Sequence, residues 1–306
     1  MLMVMKYTDK TGSGIKRYLK DSSFVCEKKF DGVYCRVTIS DKGSINMISR
    51  NRKLHYERRF SNIYNIIKAA KLPPDTIFEG ELIAQSEKIT DIQKLIQRKE
   101  NIDAIQREIN PHFVMFEIIK YGGVDYTKKP WIDRKTLIRT IKNNYFRREK
   151  HIIIPDEAVN PKSKLALLRK IKSSGGEGVM FKGITAKYRD CRAGDILKYK
   201  LYKEADCYWK GEVEMSASTT NAGLPRNIKL YQINNGSEVY VGDVGSGFEF
   251  NERRSLIEKM RGAAKNPVVV TVKYLSRNPE TYKLRHPTFV RFRPDKTYNE
   301  CVAYEK

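Results

Sequence analysis

Between residues 24 and 39, apolar and polar residues alternate on both sides of one glycine, Gly32. Phe24, Val25, Val33, Tyr34, Val37 and Ile39 are β-branched or aromatic, so the stretch predicts two strands joined at Gly32. Strand side chains alternate between faces, which puts Glu27, Lys29 and Asp31 on one face and Cys26, Lys28 and Phe30 on the other. Phe60, Ile63, Ile67 and Ala70 then recur at helical spacing, and Pro73-Pro74 stops that helix. Residues 75–84 return to strand, with Ile77, Glu79, Glu81 and Ile83 on one face. Thr90-Asp91-Ile92-Gln93 has the form of a capping box and predicts one helix carrying Ile92, Leu95, Ile96, Ile102 and Ile105. Residues 112–119 read as an apolar strand interrupted by Glu117. A helix follows near 133–143. Asn160-Pro161 opens another, which Gly175-Gly176 closes. Strands at 179–182 and 194–201 complete this part, the second with Ile196, Lys198 and Lys200 on a common face.

Near Lys203 the pattern changes to short strands with turn signals, at 205–213, 228–233, 238–241 and 268–274, plus a short helix capped by Asn251. Regularly spaced strands over such a length predict a small β-barrel. The expected organisation is two domains, 1–203 and 204–306. Residues 1–23 are basic and weakly patterned, and no role follows for them.

The formal charge of +23 over 306 residues is spread along the chain. That excess points to a polyanionic partner, nucleic acid first and an acidic membrane surface second. No apolar run approaches the length of a membrane span, and residues 1–5 are too short for a signal peptide. Five cysteines form no CxxC pair, which fits a reduced, cytoplasmic setting. Four scattered histidines make no readable zinc site, so a catalytic metal would be a hard cation held by carboxylates and phosphates.

The chemistry centres on Lys29. A lysine attacks phosphorus only as the neutral amine, and its ordinary pKa is about 10.4. Activation therefore needs desolvation or a nearby cation. The plainer reading of the same residues is a salt-bridged lysine on a hairpin strand. Glu79-Gly80-Glu81 offers two carboxylates on one strand face beside a glycine that admits close approach, or else an exposed edge strand. Glu177, in Gly175-Gly176-Glu177-Gly178, is a metal candidate or a solvated turn. Phe116 sits mid-strand, where an aromatic is ordinarily core. Lys198 and Lys200 suit a phosphate clamp. Arg291-Phe292-Arg293-Pro294-Asp295-Lys296 packs four charges around a proline that must end its strand. Taken together, a lysine, several carboxylates, two further lysines and a distal basic cluster are what nucleotidyl transfer requires.

In order along the chain, these residues resemble the motifs of compact ATP-dependent DNA ligases, within the superfamily that also holds RNA ligases and mRNA capping enzymes. The resemblance runs through Lys29-Phe30-Asp31-Gly32, Ser49-Arg50-Asn51, Phe78-Glu79-Gly80-Glu81-Leu82 and Phe113-Val114-Met115-Phe116-Glu117. It continues through Pro130-Trp131-Ile132-Asp133-Arg134, Glu177-Gly178-Val179-Met180, Leu197-Lys198-Tyr199-Lys200 and the stretch from His286 to Lys296. It implies an α+β chain: an adenylation (nucleotidyltransferase) domain of antiparallel sheets with flanking helices, followed by a small OB-fold β-barrel. It also implies ATP and Mg²⁺ (or Mn²⁺), nicked duplex DNA as partner, a monomer, and a lysyl-AMP on Lys29. Glu27 would meet the adenine edge, Arg50 the ribose and Phe116 the adenine face. Glu81 and Glu177 would serve the metal, Lys198 and Lys200 the α-phosphate, and Arg293 and Lys296 the pyrophosphate. A bacterial, phage or viral source is expected.

One departure bears on DNA. Ligases of this type usually carry an arginine five residues after the nucleophile; here that place holds Tyr34, with Arg36 two further on. The two share strand parity, so Arg36 is expected to grip the DNA backbone while Tyr34 packs beneath it. Arg36, Arg50 and Arg192 are the candidate nucleic-acid contacts. Any DNA-clamping insertion in the barrel must lie within 215–226. The rival readings are a capping guanylyltransferase, an RNA ligase and a non-catalytic nucleic-acid-binding relative.

Overall fold

The computed structural model describes residues 7–10, 14–189, 193–217 and 223–303. The chain divides into two compact units, Met1–Lys200 and Leu201–Lys306.

Two sheets build the first unit. One runs Ile45–Ile48, Val33–Ile39, Thr76–Ile83, His112–Tyr121 and Val124–Asp125 in spatial order, with Ile152–Ile153 also on His112–Tyr121. The other runs Tyr7–Lys10, Ala193–Lys200, Gly178–Gly183, Phe24–Lys29 and Glu157–Ala158. Pairing is antiparallel except for Tyr7–Lys10 on Ala193–Lys200 and Ile152–Ile153 on His112–Tyr121. The outer face of the first sheet buries Phe60, Ile63 and Ile67 of helix Ser61–Ala69 and its lead-in, together with Phe78, Phe113 and Ile138. A smaller core of Val25, Ile119, Trp131, Met180, Tyr188 and Ile196 takes residues from both sheets. Each large apolar side chain buried this way contributes about 1.5–3 kcal/mol, so this seam holds the two sheets in fixed relation. Between them lies the candidate site.

Helix Pro161–Ser173 starts where expected. The Asn160 side chain accepts from the Ser163 amide at 2.8 Å, and Pro161 occupies the first turn. The single helix expected from 90 to 105 is instead two, Ile89–Gln97 and Ile102–Ile109. Asn101 takes a left-handed conformation (φ 55°) that breaks it. Thr90 is no cap either: Asp91 is met by the Ser86 hydroxyl at 2.6 Å.

In the second unit, strands Val213–Met215, Pro225–Asn234, Lys203–Trp209, Val268–Tyr274 and Thr288–Phe292 pair in that order, with Ser237–Val244 added on Pro225–Asn234. All are antiparallel and form an open path with one branch among the described residues. Its helix is Phe250–Ala263, longer than expected, and its cap is Glu249 rather than Asn251. Leu256 and Ala263 of that helix join Trp209, Leu230, Val241 and Val270 in the core.

Candidate active site

Strand register assembles the site. Gly178 stands opposite Lys29 on one side and Lys200 on the other; two residues along, Met180 stands between Glu27 and Lys198. Three strands thus lay out two rows, Lys29–Gly178–Lys200 and Glu27–Met180–Lys198. Glycine at the centre of the first row is obligatory, because its φ is +148° and a Cβ would lie 2.0 Å from the Tyr199 carbonyl oxygen. The preceding residue, Glu177, reaches both lysines: its carboxylate is 2.5 Å from Lys29 Nζ and 3.1 Å from Lys200 Nζ. Burial would raise the Glu177 carboxyl, but the two ammonium groups outweigh it and hold the group below its ordinary value.

The facing sheet closes a cavity of about 290 Å³, bordered by Glu27, Lys29, Arg50, Glu81, Phe116, Met180, Lys182, Lys198 and Lys200. That is near the small end for a ligand pocket. Phe116 is half-buried while its neighbours Met115 and Glu117 are buried, so an apolar ring is presented to the cavity instead of the core. Met180 borders the same space from the other sheet. Arg50 is carried on a turn that Ser49 and Asn51 tie down (Ser49 Oγ to Asn51 Oδ1, 2.8 Å), and its guanidinium lies 4.8 Å from the Tyr34 ring.

Glu27 is fully buried at the back of the cavity, where its two oxygens accept from Lys135 (2.6 Å) and Lys182 (2.7 Å). Burial pushes this carboxyl up, and the two lysines more than reverse the effect. Arg134 and Glu117 form a second buried pair with two parallel bonds of 2.8 and 2.9 Å. The importance of Lys135 and Lys182 escaped the sequence reading. Their signals were present: Lys182 interrupts an otherwise apolar strand, and Lys135 lies four residues from Trp131 and three from Ile138 on a buried helix face.

Three expectations need correction. Arg36 is buried and bound to Glu79 (Nη2 at 2.6 Å, Nε at 3.1 Å), which also accepts from Tyr34 at 2.5 Å and Tyr188 at 3.0 Å. The shared parity of positions 34 and 36 holds, but it points both side chains into this buried network. The same network removes Glu79 from metal binding; Gly80 makes room for the Phe113 ring, 2.3 Å from where a Cβ would sit, and not for a ligand. Lys28 borders the cavity instead of facing away, although its ammonium is taken by Glu87. Arg192 lies outside the described residues, as do 218–222 of the stretch expected to hold any clamping insertion.

Among the described residues no group of three or more His, Cys, Asp or Glu side chains could cage a metal. Glu81, however, borders the cavity with no ion-pair partner among those residues. Burial raises its carboxyl to about 7 despite the pull of Lys29 and Arg50. This fits a hard cation shared between Glu81 and the phosphates of a nucleotide, the usual way Mg²⁺ is held. In the second unit, Arg293 and Lys296 both bind Asp206, at 3.1 and 2.7 Å.

Residues 3–200 match the ATP dependent DNA ligase domain. The chain belongs to that ligase family. Curated relatives include the DNA ligases of Nanoarchaeum equitans (26% identical; 92% of this chain, 54% of the relative) and Methanococcus aeolicus (26%; 90% and 52%). The chain spans about half the length of these relatives. Both are archaeal, where a bacterial, phage or viral source was expected. Among solved structures, one described as Pmar-Lig_Pre aligns with a TM-score of 0.75 (21% identical; 94% of this chain, 67% of that one). A Lig E DNA ligase described as binding DNA with a minimal scaffold gives 0.66 (17%; 96% and 100%). At these identities the structural likeness establishes the fold of this ligase-family chain. No helix among its described residues is long and apolar enough to cross a membrane.

Proposed function

We propose that the chain is an ATP-dependent DNA ligase that seals 5′-phosphate/3′-hydroxyl nicks in duplex DNA through a lysyl-adenylate. The observation that carries this reading is Lys29, bridged to Glu177 at 2.5 Å on the border of a cavity walled by Phe116 and Met180. Adenine would stack against Phe116, with Met180 on the opposite sheet and Glu27 at the base edge. After losing a proton, Lys29 Nζ bonds to the α-phosphorus of ATP, and the bond from that phosphorus to the oxygen bridging toward the β-phosphorus breaks, releasing pyrophosphate. Lys198 and Lys200 neutralise charge developing on the α-phosphate. Mg²⁺ or Mn²⁺ held by Glu81 would add to that neutralisation when bound. A 5′-phosphate oxygen at the nick then displaces Lys29 from phosphorus. Finally the 3′-hydroxyl oxygen attacks the 5′-phosphorus and AMP leaves.

In this reading the second unit is an OB-type barrel, whose partly open form suits six antiparallel strands and one helix. Arg293 and Lys296 would serve the pyrophosphate in the first step only. The large positive charge suits a duplex backbone, and the working form is a monomer. The test is incubation with α-labelled ATP or GTP, followed by a nicked duplex. The expected result is an acid-stable label from ATP, mapped to Lys29, and a sealed strand. Label from GTP alone would favour a capping guanylyltransferase; no label from either would favour a non-catalytic relative.

A further inference from the structure

The wall at the base end of the cavity is set by a side chain that lies behind it. Lys135 comes from helix Trp131–Tyr145 and is completely buried. Its ammonium donates to Glu27 Oε1 at 2.6 Å and to the Pro155 carbonyl at 2.9 Å, with Glu157 at 3.5 Å. Glu27 and Pro155 both border the cavity. One buried cation therefore binds an acceptor on each of two residues that border the cavity, one on a strand and one on a loop. Lys182 supplies the donor beside them: it binds Glu27 Oε2 at 2.7 Å and the Phe116 carbonyl at 3.3 Å. An ammonium has three N–H groups, so one remains for a ligand.

The wall thus offers acceptors next to a donor. Adenine presents the complement, an exocyclic amine next to a ring nitrogen acceptor. Guanine presents an oxygen in place of that amine and an N–H in place of that acceptor. Its oxygen would face the Glu27 carboxylate, like against like. Rejection of this kind is strong, because a buried polar group is left unpaired.

We propose that Lys135 is a positioning residue that sets the preference for adenine over guanine nucleotides by holding the Glu27 carboxylate and the Pro155 carbonyl at the cavity wall. This rests on the nucleotide-pocket reading above. Without Lys135 the carboxylate keeps only Lys182, and it turns toward it. Lys182 then has its donors directed at Glu27, and the alternation of acceptor and donor along the wall is lost.

The test measures adduct formation on Lys29 with ATP and with GTP for the parent, Lys135→Met, Glu27→Gln and the double variant. For Lys135→Met, KM for ATP should rise by about tenfold or more while kcat changes less, because the wall acts on binding of the base and not on the reacting phosphorus. The ATP-over-GTP ratio of kcat/KM should fall by about tenfold or more. The double variant should show the same ratio as Glu27→Gln alone, since Lys135 acts through Glu27; residues in direct contact couple in this way. Lys135→Met leaves the buried Glu27–Lys182 pair balanced; should it fail to fold, Lys135→Gln, which keeps a donor but loses the charge, should lower the same ratio. A parental ratio in Lys135→Met, or losses that multiply in the double variant, would overturn the proposal. If the parent takes label from neither nucleotide, the ligase reading has failed instead. Calorimetric titration of the same proteins with ATP and GTP then decides the wall by the same ratio.

Discussion

Replacing Glu81 with Gln separates what this carboxyl does to the fold from what it does in the chemistry. Burial raises it to about 7; Glu177 and Asp31 add to the rise, and Lys29 and Arg50 oppose it. A glutamate in an unfolded chain titrates near 4.3. Between these values the folded state binds more protons than the unfolded chain, so stability falls as pH rises from about 4 to about 7 and stays low above that. At about 1.4 kcal/mol for each tenfold in proton affinity, the full cost is roughly 3–4 kcal/mol. Glu81 borders an open cavity, and water there reduces the expected figure to about 1–2 kcal/mol. Glutamine carries no charge to bury. The variant should therefore be about 1–2 kcal/mol more stable than the parent near pH 8 and equal to it near pH 4, a gain of about 2–4 °C in Tm per kcal/mol for a unit of this size. Each unit holds one tryptophan, Trp131 or Trp209. Urea titrations followed by fluorescence in a Trp209→Phe background report the first unit alone. The same variant should lose most adenylation at every pH. A stability difference that does not change with pH would refute the reasoning.

Three other outcomes are expected. Lys29→Ala should abolish the adduct and Lys28→Ala should retain most of it, since Glu87 already engages Lys28; peptide mapping that finds AMP on Lys28 would contradict this. Arg134→Met leaves Glu117 buried without its partner and should cost about 3–5 kcal/mol in urea unfolding, whereas a cost below about 1 kcal/mol would mean that the pair is not buried as described. Nick binding should weaken steeply with salt, with a log–log slope of about −5 if six phosphates are contacted, while adduct formation without DNA should change little.

Much of the site could be read from alternation alone. Parity groups Glu27 with Lys29 and Lys198 with Lys200, and the observed register sets those pairs in two rows across Gly178 and Met180. What parity cannot supply is which neighbouring element meets a given face. Arg36 and Glu79 lie directly opposite each other on paired strands, but the strand order that brings them together is a long-range fact. Without it, an arginine two places from an expected phosphate contact looked like a substitute for it. Lys135 and Lys182 were lost for the same reason, since each is read against a carboxylate more than a hundred residues away in sequence (Glu27). The split of the 89–109 helices turned on one left-handed asparagine, a local choice that apolar spacing does not register.

The contact of Glu177 with both Lys29 and Lys200 means that the phosphate end of the cavity carries its own counter-ion. Two ammonium groups facing each other across the bare backbone of Gly178 would otherwise repel. A nucleotide entering there does not meet naked positive charge. It competes with a carboxylate for partners that are already satisfied, so the net gain from its phosphates is the difference between two anions and not the whole of one. Such an exchange keeps the site from trapping whichever phosphate arrives. On the ligase reading, Glu177 is in place to take back the lysines when pyrophosphate or AMP departs. The acid would then work as a built-in competitor, one that sets how readily the site empties between successive steps.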